Sequence, residues 1–244
     1  KNFLWTVPNS FVASANCGIY CGAKIDFVDI NEDDFNIDIN KLESKLKKTK
    51  KRPKILVTVH LGGQPTVQEK IWKLAKKYKF FVIEDASHSL GGKRDGNKVG
   101  NCKWSDITIF SFHPVKMITT AEGGMALTKS KVIYEKLELY KNHGITRDQK
   151  RLSKKKLGFW YYEQQHLGFN YRMSEISAAL GLSQMYNLKK FLQKRNIIAK
   201  NYKKLLREFP IKYQKIQKKN YSSYHLFIIV LNKKYRKHYD KIFK

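Results

Sequence analysis

The sequence predicts an α/β protein with a mostly parallel central sheet and helices on both faces, joined to a smaller C-terminal α+β domain. Short apolar runs alternate with amphipathic helical patterns, most clearly between residues 54 and 85. There KILVTVH is typical of a strand, residues 67–78 of an amphipathic helix and FFVIED of a second strand. This order makes a βαβ unit, whose strands lie parallel and whose crossover is right-handed.

The first hundred residues predict the elements around this unit. Residues 1–10 show no evident helix or strand. The predicted elements beyond them are a helix packed closely on the sheet at residues 11–20, a strand within residues 23–30, a helix from the N-cap Asp38 to about residue 48, the βαβ unit, and a glycine-rich and charged loop at residues 87–100 that wraps the site.

The rest of the chain predicts the end of the large domain and the start of a small one. The predicted elements up to residue 166 are strands at residues 107–112 and 124–127, a helix at 130–142 and an irregular stretch at 144–166 with an aromatic cluster. They are followed by a helix from Ser174, a basic amphipathic helix at about residues 188–209 and a strand at 224–231. The helix from Ser174 is expected to bury Ala178, Ala179 and Leu182. The basic helix is expected to bury Leu188, Phe191, Ile198, Tyr202, Leu205 and Phe209 and to end at Pro210. We therefore predict a large domain at residues 1–187 and a small domain that starts at residues 188–244.

Composition favours a cytoplasmic protein. With 244 residues and 42% hydrophobic content, the chain is long enough for one large or two small cores. No apolar run approaches the roughly 20 residues that cross a bilayer. The cysteines Cys17, Cys21 and Cys102 are an odd and sparse set that suits a reducing compartment, and no second ligand pair completes a metal site. We expect no membrane partner and no metal.

The formal net charge of +29 is typical of proteins that bind nucleic acid. Its distribution argues against that partner, because the basic residues are spread over helices and the tail and do not alternate with stacking aromatics. Lysine also outnumbers arginine, the residue that specific phosphate and base recognition prefers. We expect no nucleic-acid partner, with a basic binding module kept as an alternative.

One lysine and one carboxylate follow two predicted strands. Lys116 lies four residues beyond the strand at 107–112, and Glu84 and Asp85 end the strand at 80–85. Open α/β sheets bind ligands at the carboxyl ends of their strands, and pyridoxal phosphate requires an amine and a carboxylate. Ser111 and the glycines at 123 and 124 add a hydroxyl donor and close backbone approach for a phosphate. By itself the pair is weak, because lysines are abundant and Glu-Asp after a strand is commonly a turn or helix cap.

Four motifs strengthen this interpretation. SFHPVKMITTAEGGM at 111–125, EDASHSLGG at 84–92, NSFVASANCGIYCGAKIDFVDI at 9–30 and LGFNYRMSEISAALGLSQ at 167–184 occur in the order of one family. The chain closely resembles the DegT/DnrJ/EryC1/StrS sugar-nucleotide aminotransferases. This resemblance implies the fold type I of pyridoxal phosphate-dependent transferases, the aspartate aminotransferase-like fold. It also implies that the family pattern starts before Lys1 and that the small domain continues past Lys244, so that the chain is a fragment lacking both ends.

The resemblance assigns roles to individual residues. Lys116 matches the lysine that carries the cofactor and moves a proton during turnover, and Asp85 matches the carboxylate on the pyridine nitrogen. His88 matches a position near the ring hydroxyl, and Ser111 matches a phosphate ligand. Phe11 matches an aromatic residue that lies against the cofactor ring. From the residues alone, His88 as a turn cap and Phe11 as plain core stay open.

The resemblance also implies the partners. Asn170 matches an asparagine that reaches the cofactor phosphate of the neighbouring subunit, which requires a homodimer with shared active sites. FHPVKMITTAEGG, NHGIT and WYYEQQHLGFNYRM are most similar to the pseudaminic acid branch of the family. That branch implies glutamate as amino donor and carbon 4 of a UDP-linked 4-keto-6-deoxy sugar as acceptor. Other dTDP- or UDP-linked 3- or 4-keto sugars, and a catalytically silent relative, stay open.

Overall fold

A computed structural model describes residues 2–154 and 157–242. The strands are β1 (Phe3–Thr6), β2 (Lys24–Phe27), β3 (Pro53–Val59), β4 (Phe81–Asp85), β5 (Lys93–Arg94), β6 (Asn97–Lys98), β7 (Ile107–Ser111), β8 (Gly124–Leu127), β9 (Ile145–Thr146), β10 (Glu163–Gln164), β11 (Ile211–Tyr213), β12 (Asn220–Tyr221) and β13 (Ile229–Leu231). The α-helices are α1 (Ala13–Tyr20), α2 (Ile39–Lys48), α3 (Gln68–Tyr78), α4 (Lys131–Lys141), α5 (Glu175–Leu205) and α6 (Tyr239–Ile242).

Six strands form the central sheet, in the order β2-β1-β3-β4-β7-β8. All neighbouring pairs are parallel except β7 and β8, which are antiparallel. Asp85 pairs with Val59 of β3 and with Ile109 of β7, so the ends of β4 and β7 are neighbours. This architecture confirms the predicted α/β class and the parallel βαβ unit.

The larger hydrophobic core lies between the sheet and helices α2 and α3. Its fully buried members include Trp5, Leu42, Leu56, Ile71 and Val82. The two helices present apolar residues at helical spacing, as the sequence pattern predicts. The Asp38 carboxylate caps α2 by accepting hydrogen bonds from the N–H groups of Asn40 and Lys41, which confirms the predicted N-cap.

The prediction for residues 1–10 was wrong. FLWT forms β1, which lies between β2 and β3 in the sheet. Trp5 of this strand is 0% exposed. A strand with neighbours on both sides and both faces covered needs no polar alternation, and therefore lacks the period of a half-buried strand.

The C-terminal part contains one long helix where the sequence predicted two. α5 runs without interruption from Glu175 to Leu205. Its buried residues are Gly181, Leu192 and Ala199. Residues predicted to be buried are exposed instead: Ala178, Ala179, Leu182, Ile198, Tyr202, Leu205 and the following Phe209. The predicted domain boundary at residues 187 and 188 stays a prediction, and it falls inside this helix.

Short hairpins replace two stretches predicted as loops, and one strand is shorter than predicted. β5 and β6 pair within residues 87–100, and β12 adds to them. β9 and β10 pair within residues 144–166. The strand predicted at 224–231 is limited to β13, which pairs with β11. Among the described residues, no helix is both long and apolar enough to cross a membrane.

Candidate active site

Asp85 and Lys116 lie at the carboxyl ends of two adjacent strands. Asp85 is the last residue of β4, and Lys116 lies in the turn that follows β7. The N–H of Lys116 donates to the carbonyl of His113 at 2.9 Å, which closes this turn. Neighbouring strand ends therefore bring a carboxylate and an amine to one edge of the sheet.

Lys116 is half-buried, and its surroundings change its acidity. Partial burial lowers the pKa of Lys116 below its ordinary value of 10.5, and the negative charge of Asp85 opposes part of this effect. Burial disfavours the charged ammonium, whereas a nearby carboxylate favours it. The net result is a larger fraction of neutral amine than an exposed lysine has, and the neutral amine is the nucleophilic form.

Three donors hold the Asp85 carboxylate. The Ser14 hydroxyl donates to Oδ2 at 2.6 Å, the Ser87 hydroxyl donates to Oδ1 at 2.6 Å, and the Ser87 N–H donates to Oδ1 at 3.1 Å. Ser14 lies on α1, 71 residues away in sequence. Hydrogen bonds to a carboxylate are shorter and stronger than neutral ones. The orientation of Asp85 is therefore set by Ser87, in the turn that follows Asp85, and by Ser14, on α1.

His88 lies near Lys116 and Asp85 and is affected by the charges of both. Burial and, to a smaller extent, the charge of Lys116 lower the pKa of His88 to about 4, and the charge of Asp85 opposes part of this effect. Its Nδ1 accepts a hydrogen bond from the N–H of Gly62 at 3.3 Å. Because Nδ1 is the acceptor, the proton of the neutral ring lies on Nε2. His88 is thus an uncharged donor at neutral pH.

His225 packs against His88 with ring centroids 4.4 Å apart. Burial first, and then the charges of His88, Lys116 and Arg195, lower the pKa of His225 to about 3. Its Nδ1 is buried and has no hydrogen-bond partner within the part of the chain that the structure describes. Arg195 of α5 donates to the carbonyls of Tyr224 and His225, both at 3.2 Å. These bonds tie the segment that carries His225 to the long helix.

A buried histidine–carboxylate contact precedes Asp85 on the strand. His60 Nε2 lies 2.8 Å from a carboxylate oxygen of Glu84, and both side chains are almost fully buried. Burial alone would raise the pKa of Glu84, but hydrogen bonds and charge from His60, with help from Ser105 and Thr108, lower it below its ordinary value. The backbone N–H of His60 also donates to the backbone carbonyl of Asp85 at 3.1 Å. This pair fixes the backbone at the end of β4.

The other predicted site residues have no described side-chain contact with this cluster. Ser111 ends β7, and its Oγ accepts from the N–H of His113 at 3.4 Å. Phe11 is 74% exposed and touches the site region through its carbonyl, which accepts from the N–H of Ser14 at 3.2 Å. Asn170 is exposed and forms an isolated β-bridge with Asn142. The structure therefore groups Lys116, Asp85 and His88 but leaves Phe11 and Asn170 facing outward.

Sequence reasoning missed Ser14, Ser87, His225 and Arg195. Ser14 lies in a stretch of small residues that was read only as close packing, and Ser87 lies two residues after Asp85. Spacing from Asp85 was a usable signal for Ser87, because an aspartate carboxylate often accepts from the backbone N–H two residues on, as it does here. No local pattern indicates His225, which comes from the last part of the chain. No group of at least three potential metal-ligating side chains exists among the described residues.

Comparisons with known proteins give a consistent result. The family model described as the DegT/DnrJ/EryC1/StrS aminotransferase family matches residues 2–244. The chain is 40% identical over 233 residues to a UDP-4-amino-4,6-dideoxy-N-acetyl-beta-L-altrosamine transaminase of Campylobacter jejuni subsp. jejuni serotype O:23/36 (strain 81-176). That match covers 95% of this chain and 58% of the relative, so the chain spans less than two thirds of the relative's length.

Solved structures agree with the sequence comparisons. Helicobacter pylori PseC, an aminotransferase involved in the biosynthesis of pseudoaminic acid, matches with a TM-score of 0.87 at 34% identity, over 99% of this chain and 61% of that one. The putative sugar aminotransferase Spr1654 from Streptococcus pneumoniae, in its PLP-form, matches with a TM-score of 0.82 at 25% identity, over 95% of this chain and 61% of that one. The fold is that of the pyridoxal phosphate-dependent aminotransferases.

Proposed function

Because the chain belongs to the DegT/DnrJ/EryC1/StrS aminotransferase family, we propose that it carries the active site of a pyridoxal phosphate-dependent sugar aminotransferase. The observation that supports this most directly is the half-buried Lys116, whose pKa is lowered, beside Asp85 at the next strand end. In the overall reaction glutamate gives up its amino group and becomes a 2-oxo acid. The new oxo group of that acid takes its oxygen from water, whereas the keto carbon of a nucleotide-linked sugar gains the amino group and a hydrogen and loses its oxygen as water, so that no water is consumed or produced overall.

The residues present fit the cofactor. Pyridoxal phosphate, when bound, supplies an aldehyde for a covalent link and a ring that withdraws electrons. Lys116 offers an amine with a lowered pKa, and Asp85 offers a carboxylate with fixed orientation. His88 offers an N–H donor in a neutral ring. In this proposal Ser111 binds the phosphate, Phe11 covers the ring, and Asn170 reaches the phosphate bound by a second copy of the chain.

Lys116 has two tasks. Its neutral amine is the nucleophile that holds the cofactor, and the same Nζ carries a proton between the substrate carbon and the cofactor. A lysine with an ordinary pKa would be almost fully protonated at neutral pH and would serve neither task well. Asp85 pairs with the pyridine nitrogen and keeps that nitrogen protonated.

The proposed acceptor is a UDP-linked 4-keto-6-deoxy sugar with an N-acetyl group, aminated at carbon 4. The name of the Campylobacter jejuni relative and the pathway given for PseC support this choice. The aromatic residues Trp160, Tyr161 and Tyr162, in the stretch between β9 and β10, are suited to stacking and hydroxyl contacts with a sugar. We place the enzyme in the cytoplasm as a homodimer with shared active sites.

Substitution of Lys116 tests the proposal. We expect Lys116→Ala in the full-length protein to lose at least about 1,000-fold in transamination while keeping its fold, because both the covalent anchor and the proton carrier are gone. Asp85→Asn should retain the cofactor at saturating concentration, with weaker affinity, and lose most of the rate, since a neutral amide does not pair with a pyridinium. Lys136→Ala, on the exposed side of α4, is the matched control and should behave as wild type. Near-normal turnover of Lys116→Ala would show the assignment to be wrong.

The sugar is tested separately. Purified full-length enzyme is offered glutamate with a panel of UDP- and dTDP-linked keto sugars that differ in the keto position and in the N-acetyl group. We expect amination of the UDP-linked 4-keto sugar with the N-acetyl group. Preference for a dTDP-linked or a 3-keto sugar would reject the pseudaminic acid assignment and leave the aminotransferase assignment intact. Amination of none of them would reject both.

A further inference from the structure

The two oxygens of the Asp85 carboxylate are held unequally. Oδ1 accepts from both the hydroxyl and the N–H of Ser87, whereas Oδ2 accepts from the Ser14 hydroxyl. No other protein donor to Oδ2 exists among the described residues. A backbone N–H on the same turn moves with Asp85, so it does not fix the carboxylate relative to the rest of the site. Ser14 does, because it belongs to a different element.

Ser14 is well suited to hold a fixed position. Its side chain is buried, with the residue 5% exposed, so water does not readily replace it as a donor. Its helix packs tightly on the sheet, because a Cβ added to Gly18 would lie only 2.7 Å from the Cδ1 of Ile25 and 3.0 Å from the Cδ1 of Leu4. Helix packing of this kind leaves little room for movement. The oxygen that Ser14 holds is therefore fixed relative to the sheet.

A second serine gives the Ser14 hydroxyl a direction. Ser10 Oγ and Ser14 Oγ lie 3.0 Å apart, and either atom alone is able to donate. A hydroxyl has one proton, and that of Ser14 goes to Asp85, whose ionised carboxylate only accepts. Ser10 is therefore the donor to Ser14. The chain of bonds runs from Ser10 to Ser14 to Asp85, and each bond in such a chain strengthens the next.

We propose that Ser14 is a positioning residue, which fixes the plane of the Asp85 carboxylate so that it meets the pyridine nitrogen of pyridoxal phosphate, and that Ser10 supports it. The inference rests on the proposed function, because the plane of the carboxylate matters to a cofactor that Asp85 pairs with. It predicts that a hydroxyl that touches no reacting atom controls both the affinity for the cofactor and the orientation of the bound ring.

The test uses full-length protein freed of cofactor and titrated with pyridoxal phosphate, with affinity and the visible circular-dichroism band of the bound cofactor as readouts. For Ser14→Ala we expect roughly a tenfold loss of affinity, the scale of one lost hydrogen bond to a charged group. We also expect a smaller dichroism band per bound cofactor. Ser14→Cys, which keeps the packing but donates weakly, should show the same changes. Ser10→Ala should show a smaller loss, about twofold to threefold.

Controls separate this idea from the proposed function. Asn16→Ala lies on the same helix and should match wild type in both readouts. If wild type itself binds no pyridoxal phosphate, the proposed function is wrong and the role of Ser14 falls with it. If wild type binds and both Ser14 variants match its affinity and dichroism, the role of Ser14 alone is wrong. Should Ser14→Ala fail to fold, Ser14→Cys decides.

Discussion

The adjacent rings of His88 and His225 form an uncharged surface near Lys116. Both rings have strongly lowered pKa values, and their main cause is burial. A protonated imidazole next to Lys116 would place a second positive charge in a buried position, which burial and repulsion both disfavour. Both rings therefore stay neutral, and the Nε2–H of His88 is able to donate a hydrogen bond to a ligand.

The same two rings make stability depend on pH. In the folded chain the pKa of His88 is about 4 and that of His225 about 3, compared with 6.5 for an ordinary histidine. Between pH 7 and pH 5 the unfolded chain takes up protons that the folded chain refuses, so the free energy of unfolding falls as pH falls. We expect urea denaturation at pH 7, 6 and 5 to give steadily lower midpoints.

Substitution of the two histidines tests whether they cause this dependence of the free energy of unfolding on pH. Each of His88→Gln and His225→Gln should reduce proton uptake on unfolding by up to about one proton in this range. The slope of stability against pH should become shallower in each single variant and shallowest in the double variant. An unchanged slope in the double variant would show that other groups cause the effect.

At the residue scale, part of the site was predictable and part was not. Spacing after two strands indicated Lys116 and Asp85, and the predicted adjacency of the two strand ends is confirmed. Ser14 and His225 approach the same cluster from distant parts of the sequence. The Ser14–Asp85 bond spans 71 residues, and periodicity carries no information about a contact of that range.

Among the elements, α1 depends on one small residue for its position. An added Cβ on Gly18 would lie 2.7 Å from the Cδ1 of Ile25 and 3.0 Å from the Cδ1 of Leu4. A valine there would force α1 away from β1 and β2. We expect Gly18→Val to lower the free energy of unfolding by about 1–3 kcal/mol, the usual cost of overpacking. Urea denaturation measures this change.

The effect should be specific to the buried face of α1. Cys17→Val places the same β-branched side chain one position earlier, where the residue is exposed. We expect this control to stay within about 0.5 kcal/mol of wild type. If both variants lose the same stability, the cost comes from helix propensity and the contact between α1 and the sheet contributes nothing. Loss of cofactor affinity in Gly18→Val alone would connect this contact to Ser14.

Elements with a clear period were predicted well, and elements without one were not. α2, α3 and β3 follow amphipathic or apolar patterns, and their predicted bounds agree with the structure within a residue or two. β1 was missed because four residues with Trp5 at the centre show neither period. α5 was split because its exposed apolar residues lie around the whole helix, so no single stripe runs along its 31 residues.

For the whole molecule, the large exposed apolar residues predict association. Tyr20 on α1 is 83% exposed, and Ile176 and Tyr186 on α5 are 85% and 81% exposed. We expect a second copy to cover these residues. The net charge of +29 opposes that contact through repulsion between copies. Sedimentation should therefore show a dimer whose affinity rises with added salt, because salt screens the repulsion.

Charged substitutions on α5 test the face that associates. The double variant Ile176→Glu with Tyr186→Glu should weaken the dimer at least about tenfold, since each carboxylate would be buried without a partner. Lys190→Glu, an exposed residue of the same helix, is the control and should leave the dimer intact or tighten it by lowering the net charge. A monomeric wild type at micromolar concentration, or a double variant that dimerises normally, would contradict the prediction.

Residues that meet at the candidate active site are far apart in sequence, and this affects the order in which the chain folds. Asp85 is tied to Ser14 across 71 residues, and the carbonyl of His88 is tied to the hydroxyl of Ser223 across 135 residues. Closing a long loop costs conformational entropy, so contacts between residues far apart in sequence form late in folding, whereas single helices form early. If the chain binds pyridoxal phosphate as proposed, we expect binding to be one of the last events of refolding. During refolding, the visible absorbance of the bound cofactor would then return later than the far-ultraviolet circular dichroism of the helices. The delay between the two would measure how long the chain takes to form the contacts of Asp85 with Ser14 and of His88 with Ser223.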